Sequence, residues 1–393
     1  MAKGGVYDVF GIGRDNTKQK MINSLKSTLS RNITNARGWR TNRKIIVIES
    51  DDWGSIRMPS KEAFKTLLKR GIRVDKSFYD SLDSLENKED LEHLFNVLQD
   101  NATHNSKPIF TFNTVIQNPD FEKIKEADFD CFYGINLFES YSKYYGKDLK
   151  SLWFKGISEN LMLPQYHARE HLNAYLWLND LKFGVRDTKI SFDSDFFGLK
   201  TTTSSKLRKH YLATYFSETL DEFNSVKKTL KDGVSKFENF FGFQSKSFIA
   251  SNYIWPKQLE RQLADLNFKT IQGQRKQINT DFNTGKINYS PHFTGQKNNL
   301  KQHYTVRNVI FEPYLNQNKD WASAAFKEIE NAFFWKTPAI ISSHRINYAS
   351  NMSQNNRDSS LKHLEALLKK INLKHPDVLY ISSDQLADLI IFK

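Results

Sequence analysis

Short apolar runs alternate with amphipathic stretches from residue 45 to the C-terminus. Ile45 to Ile48 is an unbroken β-branched run, the pattern of a strand buried on both faces, as in parallel sheets. Comparable runs predict strands over 107–115, 161–164, 247–250, 268–271, 306–311, 339–344 and 378–381. Between them, apolar residues three and four apart predict helices. These run from Pro59 to about residue 70, over 82–98, 149–157 and the second half of 212–243, then over 259–266 and 321–334, and from Leu361 to Ile371. The segment 165–178 reads as a helix entered from the strand at 161–164. Residues 187–205 show no period and read as a long loop, and 272–304 as a surface excursion. Strands alternating with helices predict an α/β fold with a parallel sheet. In such folds function gathers at the carboxyl ends of strands. Asp51, His167, Asn252 and His344 all fall at or just past predicted strand ends.

Charge changes this picture at one end only. The 393 residues carry a formal charge of +13. Residues 1–44 hold ten Lys and Arg against Asp8 and Asp15, so this segment supplies most of the excess. Met21, Ile22, Leu25 and Leu29 would share one face of a helix there. The division expected is therefore a basic N-terminal helical arm over 1–43 and a catalytic domain with insertions over 44–393. The arm suits a weak contact with a membrane surface. No nucleic-acid partner is expected, because the body shows no recognisable nucleic-acid motif. No apolar run approaches the ~20 residues that span a bilayer. With no signal core visible and Cys131 alone, a cytoplasmic location is expected.

The chemistry concentrates in three places. Asp51 and Asp52 are adjacent carboxylates that repel, so their site favours a cation or a shared proton. In an extended segment they would point to opposite sides and do different work. His167 and His171, four apart on a helix, would lie on one face and bind one divalent metal. A carboxylate completes such a set and leaves positions open for water and substrate. His344, at the end of a predicted strand, suits a proton donor near neutral pH. A rival parse reads His167-Ala-Arg-Glu170-His171 as H-x-x-E-H, a metallopeptidase pattern, with Glu218 or Glu222 completing it. That parse leaves the Asp-Asp pair and His344 unused. A non-catalytic sugar-binding barrel is the further alternative, with Trp53, Tyr166, Tyr253, Trp255 and Trp335 as stacking surfaces.

Ser50-Asp51-Asp52-Trp53-Gly54, His167-x-x-x-His171 and Ser342-Ser343-His344 together resemble the motifs of the polysaccharide deacetylases, carbohydrate esterase family 4. The resemblance covers roughly residues 44–393 and implies a distorted (β/α)7 barrel with helical insertions. It implies Asp51 as general base, Asp52, His167 and His171 as metal ligands, and His344 as general acid. The cofactor implied is one divalent metal ion, zinc first, with cobalt, manganese or nickel as alternatives. The reaction implied is removal of an acetyl group from a glycan or sugar conjugate, neutral or anionic. Trp53, Asn252, Tyr253, Trp255 and Arg307 are the expected substrate-binding residues. Two departures stand out. Trp53 is inserted before Gly54, and the arginine of the family's Arg-x-Pro-Tyr motif is missing from Ser251-Asn-Tyr-Ile-Trp-Pro256. Arg307 and Arg275 are the candidates to replace its charge.

Overall fold

A computed structural model describes residues 29, 31–199, 210–281 and 286–392. The amphipathic segment expected over 21–29 lies almost wholly outside them. The sheet has nine strands: β1 (Ile45–Trp53), β2 (Phe110–Val115), β3 (Met162–Ala168), β4 (Ser247–Ile249), β5 (Thr270–Gly273), β6 (His303–Val306), β7 (Val309–Ile310), β8 (Ala339–His344) and β9 (Leu379–Tyr380). Their order is β6-β5-β4-β3-β2-β1-β8-β7, with β9 beside the start of β1. All pairings are parallel. The sheet curls into a distorted barrel wall, as the alternation of strands and helices predicts.

Consecutive strands β6 and β7 occupy opposite edges of this sheet and are joined by only Arg307 and Asn308. Arg307 N donates to Gly273 O at 3.1 Å, still on the β5 side, and Asn308 N donates to Ile340 O at 3.1 Å, already on β8. The two edges therefore meet at a seam one dipeptide wide. The Asn308 side chain holds it, accepting from Ile340 N at 2.8 Å and donating to Pro338 O at 2.9 Å.

Every residue of β1 is buried, as an unbroken apolar run entering a central strand requires. Ile46 and Ile48 face outward into the main core beneath the helices. Ile45 and Val47 face inward and pack with Ile340, Leu386 and Ile390, so the C-terminal helix Ser383–Ile391 plugs the bottom of the barrel. Above this plug the lining turns polar. Gln165, Ser247, Gln272 and Asn113 form a chain of buried hydrogen bonds from β3 through β4 and β5 to β2. Buried polar groups need such partners, and these fix the strands around the site above them.

Two stretches differ from expectation. The loop expected over 187–205, of which 187–199 are described, begins within the helix Arg186–Phe192, whose Ile190 and Phe192 are buried against the insertions. Tertiary burial there outweighs a weak period. Residues 272–304 contain a hairpin, Lys276–Asp281 with Lys286–Pro291. At the N-terminal end, residues 31–36 are helical and Arg31 pairs with Glu328 at 2.8 Å on the helix Trp321–Phe334. No described helix is long and apolar enough to cross a membrane.

Candidate metal centre and active site

The site begins with a fault in β1. Ser50 registers with Phe112 and Trp53 with Thr114, so Asp51 and Asp52 together oppose the single residue Asn113. Such a bulge bends the strand and re-aims a side chain. Asp52 takes φ 74°, and both carboxylates line one cavity of about 210 Å³. Strict alternation predicted opposite sides; the bulge overrides it. Gly54 follows at φ 81°, where an added Cβ would stand 2.4 Å from Leu137 Cδ1 and 2.8 Å from Val115 O. Only glycine fits that turn. The inserted Trp53 anchors the bulge from outside: it is fully buried and stacks on Phe112 with ring centroids 3.6 Å apart. Trp53 therefore belongs to the core and does not reach the cavity, contrary to the substrate-binding expectation.

His167 and His171 do not share a helix. His167 lies in β3, His171 in the bend beyond it, and the next helix starts at Ala174, where the Asn173 side chain accepts from Leu176 N. The four-residue spacing still brings both rings onto Asp52. Its Oδ1 lies 3.4 Å from His167 Nε2 and 3.0 Å from His171 Nε2. Among the described residues, Asp52, His167 and His171 are the group placed to hold a metal ion.

The donor set fits a divalent cation. His167 Nδ1 stands 3.0 Å from Ile249 O, a carbonyl that can only accept. The ring proton is thereby assigned to Nδ1, leaving the Nε2 lone pair free toward Asp52. His167 Nε2 and His171 Nδ1 are buried without a hydrogen-bond partner. Burial lowers the His171 pKa, so its ring is neutral, as a ligand must be. Burial alone would raise the Asp52 carboxyl, but the neighbouring histidine rings hold it well below the usual range. The H-x-x-E-H parse fails here: Glu170 forks onto Arg169 at 2.5 and 2.8 Å, and Glu222 accepts from Asn173 Nδ2 at 3.0 Å. Neither they nor Glu218 belong to the cluster.

Asp51 is held from three sides. Arg307 donates to its two oxygens at 2.6 and 2.7 Å, Asn113 Nδ2 to Oδ1 at 2.7 Å, and His344 Nε2 stands 3.6 Å from Oδ2. Burial raises this carboxyl, yet Arg307 outweighs it and the pKa falls to about 2. Arg307 also donates to Glu49 Oε2 at 2.7 Å and to the Tyr253 hydroxyl at 2.9 Å. Arg307 is therefore the counter-ion of Asp51 and Glu49, its donors taken up by these carboxylates and by Tyr253. Arg275 lines a different cavity beside the hairpin. His344, the register partner of Asp51 across β1 and β8, has Nδ1 2.6 Å from Glu312 Oε1. Burial lowers the His344 pKa, but Glu312 and the aspartates raise it to about 9.

Asn252 and Tyr253 line the cavity, both at φ 56° in the turn beyond β4. Trp255 does not: it is buried, 3.4 Å from Glu260 Oε1 through Nε1. Three groups had escaped the sequence reading, namely Glu312, Asn113 and Arg57, which lines the cavity beside Asp52. Asn113 lay within a predicted strand and Glu312 one residue past another, so position at a strand end was the available signal.

No protein-family model and no curated protein matches the sequence. Among solved structures, the chain is similar in its course to a polysaccharide deacetylase from Mycobacterium smegmatis, at 9% identity and a TM-score of 0.43 over 90% of this chain and 92% of that one. It is similar to an allantoinase at 8% identity and a TM-score of 0.42, over 89% and 91% of the two chains. A pseudoenzyme of carbohydrate esterase family 4 from Bacillus anthracis overlaps at 11% identity and a TM-score of 0.33, over 88% and 66%. The barrel rests on the strand order and register, and the chemistry on the side chains that line its mouth.

Proposed function

We propose that the chain is a metal-dependent hydrolase that removes acetyl groups from an N- or O-acetylated glycan or sugar conjugate. One observation carries this reading. The Asp52–His167–His171 cluster, the Asp51 carboxylate and the His344 ring line the same small cavity. Two histidines and one carboxylate suit zinc, with cobalt, manganese and nickel as alternatives. A divalent cation held by Asp52, His167 and His171 would supply Lewis acidity for the acyl carbonyl and favour deprotonation of water.

The chain's own groups divide the remaining work. Asp51 accepts the proton of the attacking water, with Arg307 and Asn113 fixing the carboxylate plane. His344 donates a proton to the departing amine nitrogen or alcohol oxygen. Glu312 holds its Nδ1 and keeps the ring protonated at neutral pH, the form an acid requires. The narrow cavity and buried walls exclude bulk water and strengthen these interactions. Of the aromatics named for a non-catalytic sugar-binding barrel, Trp53, Tyr166 and Trp255 are buried in the core and Tyr253 lines the cavity.

The test is metal content by elemental analysis, with acetate release from acetylated oligosaccharides, in wild type, Asp52→Ala and Asp51→Asn. The wild type should bind about one divalent ion per chain and Asp52→Ala should lose it. Asp51→Asn should keep the ion and lose about 10²–10⁴ in rate, the usual worth of a positioned base. An Asp51→Asn protein that retains most of its rate sinks the assignment of the base. Full metal occupancy in Asp52→Ala sinks the ligand set.

A further inference from the structure

Among the described residues, the cations buried around the site make hydrogen-bonded ion pairs with one exception. Arg307 is committed to Asp51 and Glu49, Arg345 to Asp83 and Glu86, and His344 to Glu312. Arg57 is different. It is 6% exposed and lines the cavity with Asp52, His171 and His344. Its Nε lies 3.5 Å from Asp83 Oδ2, and its guanidinium carbon 5.2 Å from the centroid of the Tyr79 ring. Neither contact is a hydrogen bond, and Nε and Nη1 are buried donors with no acceptor.

Asp83 does not explain this cation. Arg345 already forks onto both Asp83 oxygens at 3.2 and 3.1 Å. Arg57 therefore supplies charge to a carboxylate whose hydrogen bonds are made elsewhere. Buried donors are almost always satisfied in native proteins, and those left open inside a cavity call for a ligand. The edge formed by Nη1 with Nη2 matches a two-oxygen anion, which it can bind through two parallel bonds, while Nε lies toward Asp83. The Tyr79 face beneath it holds the group in place by a cation–π contact.

We propose that Arg57 determines specificity in this cavity by receiving a carboxylate or phosphate carried on the acylated sugar. This rests on the acetyl-hydrolase reading for the nature of the substrate, and adds its charge. An anion seated on Arg57 lies beside the Asp52–His167–His171 cluster, so the charged substituent and the scissile acyl group sit close together on one sugar unit. A neutral sugar would leave the same donors unpaired, and would be discriminated against for that reason.

The test separates binding from turnover. Glucose, glucose 6-phosphate and glucuronate carry no acyl group, and their dissociation constants are measured by calorimetry on wild type, Arg57→Lys and Arg57→Gln. Each protein is taken metal-loaded and chelator-treated, because a bound cation also attracts phosphate. In wild type at least one anion should bind about 10–100-fold tighter than glucose, the worth of one charge-assisted pair. Which anion gains more tells phosphate from carboxylate. The preference should survive chelation, shrink in Arg57→Lys and vanish in Arg57→Gln. Equal affinity of wild type for all three sugars overturns the proposal without recourse to any variant. So does a preference that needs the metal and ignores Arg57, or a loss in Arg57→Gln equal for neutral and anionic sugars. Acetate release from N-acetylglucosamine and its 6-phosphate is followed in parallel. Absence of turnover on both defeats the hydrolase reading, while the binding preference stands or falls by itself.

Discussion

Replacing Arg307 by methionine removes one guanidinium that serves two buried carboxylates. Its Nε bonds Glu49 at 2.7 Å, and its Nη1 and Nη2 bond Asp51 at 2.7 and 2.6 Å. After the change Glu49 keeps only the Ser383 hydroxyl at 2.8 Å, and Asp51 keeps Asn113 Nδ2 at 2.7 Å. Both acids lie almost wholly inside the barrel. Removing one partner of a buried pair costs about 3–5 kcal/mol, chiefly because the other charge is left unpaired. Here two charges are left, each with a remaining donor, so about 4 kcal/mol is expected for Arg307→Met. Adding Glu49→Gln should return about 1–2 kcal/mol, since an amide replaces one stranded charge. That rescue would be the signature of coupling in a double-mutant cycle. The assay is urea unfolding of the metal-free proteins at pH 7, followed by fluorescence and circular dichroism so that coincident transitions justify a single free energy. An Arg307→Met protein within about 1 kcal/mol of wild type, or one further weakened by Glu49→Gln, refutes the counter-ion argument.

Glu312→Gln tests the histidine. The folded His344 pKa is raised to about 9, so its pairing stabilises the protein fully below about pH 6.5 and the gain is lost as pH rises through about 9. At full value this is about 3 kcal/mol; in metal-free Glu312→Gln the fall between those pH values should flatten, and a curve parallel to wild type would disprove the link. Trp255→Phe tests the reassignment of that residue to the core. It should cost about 1–2 kcal/mol in stability while leaving KM unchanged, and a raised KM at unchanged stability would return Trp255 to the substrate.

The centre of the site was legible because its residues follow the clearest strands. Asp51 and His344 each end an apolar run, and those two runs are register neighbours in the sheet. The histidine pair was legible as a pair and misread as a helix. A spacing of four fits one helical turn, and here it equally fits a strand residue and a bend residue that fold back on one point. The strand itself was hidden because Gln165 and His167 face the polar lining of the barrel, which breaks the apolar pattern after Pro164. Trp53 and Trp255 were misplaced for a related reason. An aromatic beside a motif looks like a platform, but a bulge and a turn send these rings outward into the core. Arg307 and Glu312 carry no local signal for their partners, although Glu312 follows a predicted strand. Which carboxylate Arg307 meets depends on how far the sheet curls before its edges join, and that is set by all eight strands of its path together.

The charges brought together by that curl bear on the metal independently of any motif. Glu49, Asp51, Asp52, Asp83, Glu86 and Glu312 are six buried carboxylates within one connected region, and Arg57, Arg307, Arg345 and His344 are the four cations among them. Taken as ionised, the region is short of two positive charges. Burial raises the pKa of Glu49, Asp83 and Glu86, and the arginines beside them offset it only in part. Two protons on Glu49, Asp83 or Glu86 would make up the shortfall, whereas Asp52 is the acid least ready to take one: burial raises it, but the His171 and His167 rings hold it well below the usual range. A divalent cation held by Asp52, His167 and His171 would supply both charges where the carboxylate and the two Nε2 atoms converge. On the reading proposed above, with Asp51 as the base, such an ion would complete the charge of the region at the site itself.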